Sequence, residues 1–490
     1  MSIKKTYPLF VLLILSLAFP LQAKTQKPNV VFIFLDDMGW GDPACYGHKY
    51  IKTPNIDRLA KEGKLFTNFY VNASVCSPSR ASVYTSKYPG SMGIHGHFSK
   101  TEENKKRLMP DFLDTSLPTM PSIFKANGYA TGHFGKWHLG GPWQEDAPTP
   151  GEYGNDDFRT HVSTGAQFSG DDYVISPGIN QDTKSSEWIT NESIRFIKAN
   201  KDKPFLLNAW YMVPHTVLAP TKKMMEAYKD FRAFGPHADG YEKMGIKGFT
   251  TPEQVYYSCV TDLDYHIGRL LDKLDELNLT ENTIIVFSSD NGPEGPTDLV
   301  MARHSAAGSA GVFRGVKRSL YEGGIRVPFI VKWKGKITPN TVDKETVFSG
   351  IDLLPSLMAI TQIKKKVKNF APHGEDLSAC LLTDVPQKRS TPLFWEYRFI
   401  VLGKAYHKAP QLAIREGEFK LLMNPDDSRI ELYNVKKDPG ERDNVASENE
   451  EVVKDLKKKL LAWHKTIPNH DKPIQKYAGS TATRYDILLK

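Results

Sequence analysis

"NVVFIFLDDMGWGD", residues 29–42, runs apolar without a break from Val30 to Leu35 and then ends on two carboxylates, Asp36 and Asp37. A strand with one wet face alternates apolar and polar residues; a strand covered on both faces does not. The stretch therefore predicts a buried strand of a mostly parallel sheet. Three further runs read the same way: "PFLLNAWYMV" (204–213), "TIIVFSS" (283–289) and "VPFIVKW" (327–333). Helical patterns lie between them. "TPNIDRLAKEG" (53–63) opens on Thr-Pro and closes at Gly63, while "SLPTMPSIFKANG" (116–128) and "YYSCVTDLDYHIGRLLDKLDELN" (256–278) carry apolar residues at helical spacing. Strands alternating with helices predict an α/β fold, a large mostly parallel sheet flanked by helices.

The pattern changes after about residue 375. "TPLFWEYR" (391–398), "QLAIREGEFKLLMN" (411–424) and "RIELYNV" (429–435) are shorter, alternating strands, and "NEEVVKDLKKKLLAWHK" (449–465) is a charged amphipathic helix. This predicts a smaller C-terminal antiparallel sheet with a packed helix. The expected organisation is a leader over 1–23, an α/β domain over 27–375 and a C-terminal subdomain with a polar tail over 376–490.

The 490 residues carry a formal charge of +8, spread along the chain rather than blocked. No aromatic-basic motif accompanies that charge, so nucleic acid is not an expected partner, whereas an anionic substrate is compatible with it. "MSIKKTYPLFVLLILSLAFPLQAKTQ" combines a Lys pair, a short apolar stretch and a small residue at Ala23. The stretch is shorter than the ~20 residues a membrane span takes. It reads as a secretory signal cleaved near Ala23, with no stable membrane span afterwards and an exported, periplasmic or secreted product. Export permits disulfides, and Cys45, Cys259 and Cys380 offer candidates with no pairing fixed by sequence. Asn72, Asn191 and Asn278 head glycosylation sequons that matter only in a eukaryotic host.

Polar residues collect at the ends of the predicted strands. Asp36 and Asp37 end the first, Asp290 and Asn291 follow "TIIVFSS", His215 follows "PFLLNAWYMV", and "GYATGHFGKWHLG" (128–140) carries Lys136 and His138. Ligands of open α/β sheets bind at the carboxyl ends of the strands. Asp36, Asp37, Asp290 and Asn291 are hard oxygen donors that suit calcium or magnesium. The histidines lack zinc-motif spacing, and no paired-cysteine motif exists.

"SVCSPSRASVYTS" (74–86) places Cys76 beside a helix start, with Ser77 as the expected cap and Pro78 in the first turn. A helix N-terminus favours an anion and lowers a thiol's pKa, and Arg80 lies within reach of the same anion. A buried free cysteine and a thiolate nucleophile both remain open on these residues alone.

The spacing Cys76-x-Pro78-x-Arg80, together with "GYATGHFGKWHLG" and "GVKRSLYEGGIRVP" (315–328), resembles the type I, formylglycine-dependent sulfatases of the alkaline phosphatase superfamily. The resemblance runs from about Asn29 into the C-terminal subdomain. It implies hydrolysis of O-sulfate esters by an alkaline phosphatase-like fold; export, abundant aromatics and the basic balance point to a sulfated carbohydrate, a polysaccharide or its oligosaccharides, as the substrate. Cys76 is then converted by a formylglycine-generating enzyme to 3-oxoalanine, whose hydrate is the nucleophile. One calcium ion is implied, held by Asp36, Asp37, Asp290, Asn291 and the hydrate on Cys76. Arg80, Lys136 and Lys317 neutralise sulfate oxygens. His215, with Lys317, protonates the leaving alcohol, and His138 takes the proton that regenerates the aldehyde. Tyr84, Ser86, Phe134 and Val217 depart from the family pattern, which points to a different pocket shape. His95, His97, His373, Trp395, Arg398 and Arg415 are further candidates for substrate contact. A phosphoester or phosphonate hydrolase of the same superfamily and a non-catalytic binder of sulfated glycans are the competing readings.

Overall fold

The structure, a computed structural model, describes residue 2 and residues 27–472, apart from 141–143, 145, 162–183, 219, 232–250, 296–303, 365–366, 400 and 402–403. The leader over 1–23, residue 2 apart, and the polar tail beyond 472 lie outside the described residues.

Eight strands form the main sheet: β1 (Asn29–Asp36), β2 (Lys64–Phe66), β4 (Ala130–Lys136), β5 (Asp157–His161), β6 (Phe205–Pro214), β7 (Thr283–Ser289), β8 (Phe329–Lys332) and β9 (Thr341–Asp343), in the order β5-β4-β6-β1-β7-β8-β2-β9. β1 is central and parallel to both neighbours, with Val30 opposite Leu206 on one side and Ile284 on the other. Its alternate residues enter opposite cores. Val30, Phe32 and Phe34 pack with Ala81 and Val83 of the helix Cys76–Thr85 and with Leu353 and Leu354 of the helix Gly350–Ile360. Val31, Ile33 and Leu35 pack with Ile189 and Phe196 of the helix Ser185–Asn200 and with Val260 and Leu263 of the helix Pro252–Glu276. Two covered faces explain the unbroken apolar run.

One run departs from the parallel expectation. β8, the "VPFIVKW" segment, lies antiparallel to β7, with Phe329 opposite Ser288. An antiparallel neighbour needs no crossover helix, and a long connection, residues 290–328, takes its place. Because β8 starts where β7 ends, the described part of that connection around Lys317 lies at the carboxyl edge of the sheet.

Two short strands, β3 (Phe69–Tyr70) and β10 (Phe348–Ser349), pair separately. The C-terminal sheet is antiparallel, β11 (Leu393–Glu396), β12 (Leu412–Glu416), β13 (Phe419–Met423) and β14 (Glu431–Asn434) in that order. Leu412, Ile414, Leu421 and Leu432 pack on Leu456 and Leu460 of the helix Glu450–His464. The other face, with Trp395, Ala413 and Leu422, joins the main core. Charges are buried at this junction as well. Lys420 Nζ lies 3.0 Å from Glu322 Oε1 and 2.9 Å from Glu441 Oε1, with all three side chains fully buried. Glu322 Oε2 also accepts from Tyr70 at 2.5 Å and from Arg326 at 3.1 Å.

No disulfide joins any of the four cysteines, so the pairing offered by Cys45, Cys259 and Cys380 does not form. Cys380 sits in one core, and Cys45 and Cys259 in the other, across the sheet. Among the described residues no helix is long and apolar enough to cross a membrane.

Gly135 marks where β4 tolerates no side chain. It has φ +110°, and a Cβ there would stand 2.0 Å from the Trp210 carbonyl oxygen. Gly135→Ala is expected to cost about 2–3 kcal/mol through backbone strain and displacement of β6. Urea unfolding should show a lower midpoint at unchanged slope.

Candidate active site

β1, β4, β6 and β7 run parallel and side by side, so their last residues arrive at one edge. The chain turns sharply after β1, where Asp37 takes φ +70°. This conformation is one that Asp tolerates better than most residues. The turn lets the Asp37 N–H donate to Asp290 Oδ1 at 3.1 Å, tying the two strand ends together. Asn291 Nδ2 donates to Asp37 Oδ1 at 2.7 Å.

Cys76 is the first residue of its helix rather than a residue outside it. Val75 occupies the capping position with no side-chain cap, and the Ser77 hydroxyl, expected to cap, instead accepts from the Phe98 N–H at 3.0 Å. The helix is buried along its whole length, so Ser77 is spent on a neighbouring loop. Burial pushes the Cys76 thiol up, against the pull of Lys136 and Lys317. The expected lowering of its pKa by the helix end is overturned: desolvation outweighs it, and the free thiol is a poor thiolate nucleophile.

Four cations meet four carboxylates here. Lys136 Nζ donates to Asp36 Oδ2 at 2.5 Å, and Lys317 Nζ donates to Asp37 Oδ2 at 2.7 Å. Arg80 donates to Asp290 Oδ2 from Nε at 2.9 Å and Nη2 at 2.7 Å. Its guanidinium lies over Phe34 and Trp210, 5.4 and 5.0 Å from the ring centroids. Arg318 forks onto Glu294 at 2.5 and 3.2 Å, and Glu294 stands 3.8 Å from Lys317. Burial opposes every one of these charges. Asp37 is nevertheless held well below the usual carboxylate range by Lys317, His215 and Lys136. Lys317 is held well above its ordinary value by Asp37 despite burial. Burial pushes Asp290 up to about 6. Charge this dense and dry is preorganised for an anion whose charge shifts during reaction.

Donor atoms of Asp36, Asp37, Cys76 and His215 lie within 4.8 Å of one another. Asp36 Oδ1 and Asn291 Oδ1 are buried without a hydrogen-bond partner among the described residues. Two orphaned hard oxygens beside a carboxylate cluster fit a divalent cation such as calcium. Asp290 belongs to the same cluster, with its oxygens turned towards Arg80 and the Asp37 N–H. His215 is a donor near the ion site that the predicted ligand set did not contain.

The histidines are dry and neutral. His215 Nδ1 bonds the Thr216 carbonyl at 2.6 Å, which leaves Nε2 facing Asp37 at 3.8 Å. Burial and Lys317 bring its pKa down to about 3. His138 Nε2 bonds the Phe98 carbonyl at 3.2 Å, and burial puts it far below the ordinary imidazole value. Ser77 thus fixes the loop whose carbonyl sets the His138 tautomer.

Several other candidates are structural. His95 Nδ1 pairs with Glu396 at 2.5 Å, and Arg398 Nε binds the same carboxylate at 2.9 Å. Trp395 is fully buried and donates to the Val71 carbonyl at 2.7 Å. His373 Nδ1 accepts from the Tyr88 N–H at 3.1 Å. Three of the departures from the family pattern serve the core instead of the pocket. Tyr84 packs against Trp137 and Trp210 and accepts from Asn155 at 2.9 Å. Ser86 donates to the Ile351 carbonyl, and Phe134 packs on Phe196. Val217 alone of the four is exposed. Asn72 is buried and donates to Ser349 at 2.9 Å, so its sequon offers no acceptor. His97 is exposed and lies beside His138, their ring centroids 6.3 Å apart. Glu294 and Arg318 were missed by sequence reasoning, although they follow Asn291 and Lys317 closely.

Residues 28–363 match the family model described as Sulfatase, and residues 308–466 match N-sulphoglucosamine sulphohydrolase, C-terminal. An N-acetylgalactosamine-6-O-sulfatase of Bacteroides thetaiotaomicron is 29% identical, over 89% of this chain and 93% of that protein. Arylsulfatase A of Homo sapiens is 31% identical, over 92% of this chain and 90% of its own length. The crystal structure of Ps i-CgsB in complex with k-i-k-neocarrahexaose superposes with a TM-score of 0.75 at 23% identity, covering 94% of this chain and 97% of that one. With the strand-end site, its paired carboxylates and its cationic border, these likenesses establish that the chain belongs to the sulfatase family, hydrolases of sulfuric esters.

Proposed function

We propose that this sulfatase is exported, holds one calcium ion, and removes O-sulfate groups from a sulfated carbohydrate after Cys76 has been converted to formylglycine. The observation that carries the reading is the convergence of Asp36, Asp37, Cys76 and His215 within 4.8 Å, under Lys136 and Lys317. The carbohydrate is supported by the N-acetylgalactosamine-6-O-sulfatase that matches along nearly the whole chain. Export and a maturing enzyme are supported by the N-terminal pattern and by the "CSPSR" segment.

Asp36, Asp37, Asp290 and Asn291 would hold the ion, which supplies positive charge to the sulfate oxygen and the nucleophile. Formylglycine at position 76 would supply that nucleophile as its hydrate. Arg80, Lys136 and Lys317 orient the sulfate and offset its charge. His215 and Lys317 flank the leaving oxygen. An anion beside His215 favours its protonated form and lifts its pKa. His138, whose Nε2–H is committed to Phe98, offers Nδ1 as the base.

The test is sulfate release by matured protein from defined sulfated oligosaccharides, run beside an aryl phosphate. Sulfate is expected to be released from at least one oligosaccharide. Chelation should lower the rate about 100-fold, and calcium should restore it. Faster phosphate release, or full activity after chelation, overturns the reading.

A further inference from the structure

At the far end of the C-terminal sheet lies a second cleft that the catalytic chemistry does not use. Its volume is about 1120 Å3, and it is lined by Arg326, Lys344, Lys388, Arg389, Arg415 and Lys436 against only three carboxylates, Glu345, Glu416 and Glu418. The register of the sheet fixes its place. Glu396 pairs with Leu412 and Leu393 with Arg415. The Glu396 end adjoins the catalytic side, where the neighbouring Tyr397 lies within the field of Arg318 and Lys317, whereas the Glu416–Glu418 turn lies at the other end of the strand pair. Four residues of strand at about 3.3 Å each separate the two ends by about 13 Å.

The charges in the cleft are unevenly matched. Lys436 pairs with Glu345 at 2.9 Å, and Glu416 is taken by Lys459 at 2.5 Å. Arg326 and Arg389 are held by Glu322 and Asp352. Lys344 and Lys388 are exposed and form no ion pair among the described residues. Arg415 is only 7% exposed; one nitrogen donates to Tyr70 Oη, but Nε is buried without a hydrogen-bond partner. A dry guanidinium with an unmet donor beside two uncompensated ammoniums is built for an anion. The volume of the cleft and its six cationic side chains suit a chain bearing several anionic groups better than a single ion.

We propose that this cleft binds a sulfated oligosaccharide segment, separate from the sugar being desulfated. The proposal rests on the carbohydrate reading above. The experiment is amine-reactive labelling of the Cys76→Ala protein, read by mass spectrometry, with and without chondroitin 6-sulfate, heparin and carrageenan hexasaccharides. At least one hexasaccharide is expected to protect Lys344 and Lys388 at least fivefold, leaving Lys454 on the C-terminal helix unchanged. Lys344→Glu with Lys388→Glu should weaken that hexasaccharide's binding about tenfold at an unchanged thermal midpoint. Absence of protection by every hexasaccharide overturns the proposal, and so does equal protection by inorganic sulfate alone. Because binding is read without turnover, failure of the carbohydrate reading appears separately, as no sulfate released from any oligosaccharide by the wild-type protein.

Discussion

Cys76→Ala is expected to lower sulfate release by at least about 10⁴-fold, to the level of background, with the fold retained. The fold should survive because the substitution removes one buried sulfur and no charge, a change on the order of 1 kcal/mol. Activity should not survive, because a methyl group at position 76 has no oxygen or sulfur with which to attack the sulfate. A thiol mechanism makes the same prediction for alanine, so a second measurement separates them. Mass spectrometry of the peptide containing Cys76 should show an aldehyde in place of the thiol in active protein. Fully active protein with an unmodified thiol would falsify the formylglycine proposal. The raised pKa of the buried thiol already weighs against a thiolate.

Lys420→Met is expected to destabilise the protein by about 3–5 kcal/mol, the cost of leaving buried carboxylates without their cation. Lys420 is the shared partner of Glu322 and Glu441, and burial pushes Glu441 up to about 7 even with the lysine in place. With the lysine gone, the folded state should hold a proton on this pair that the unfolded state has released. Stability of the variant then falls as pH rises from the ordinary glutamate range, and its deficit shrinks towards pH 5. Adding Glu441→Gln should recover part of the loss, because one orphaned charge disappears. Denaturant midpoints at pH 5 and pH 8 read both effects; a pH-independent deficit would count against the charge argument.

The site was legible at strand ends because a doubly covered strand leaves its signature in an unbroken apolar run, and the first polar residue afterwards must lie at the edge. Asp36, Asp37, Asp290, Asn291 and His215 were found in this way, and Lys136 with His138 through the "GYATGHFGKWHLG" segment. The direction of β8 was not legible, since a buried run reads the same parallel or antiparallel. Glu294 escaped because a carboxylate in a glycine-rich loop looks like a turn residue until Arg318 is brought against it. Ser77 looked like a cap because sequence shows the local helix start and not the Phe98 N–H that competes for the hydroxyl. Trp395 and His95 looked like pocket residues for the opposite reason: their polar atoms are satisfied by distant partners, the Val71 carbonyl and Glu396.

The buried junction between Lys420 and Glu322 also sets a timetable. Glu322 lies in the connection that carries Lys317 and Arg326, and its other close cation, Lys420, arrives only with β13. Translation passes Cys76 long before it reaches Lys420, an interval of roughly a minute or less at ~5–20 residues per second. In the folded protein Cys76 is only 3% exposed and Arg80 not at all. An enzyme that reads the "CSPSR" segment would therefore need to work during that interval, or on a chain not yet folded. Late closure by the C-terminal sheet would then act as a deadline for maturation.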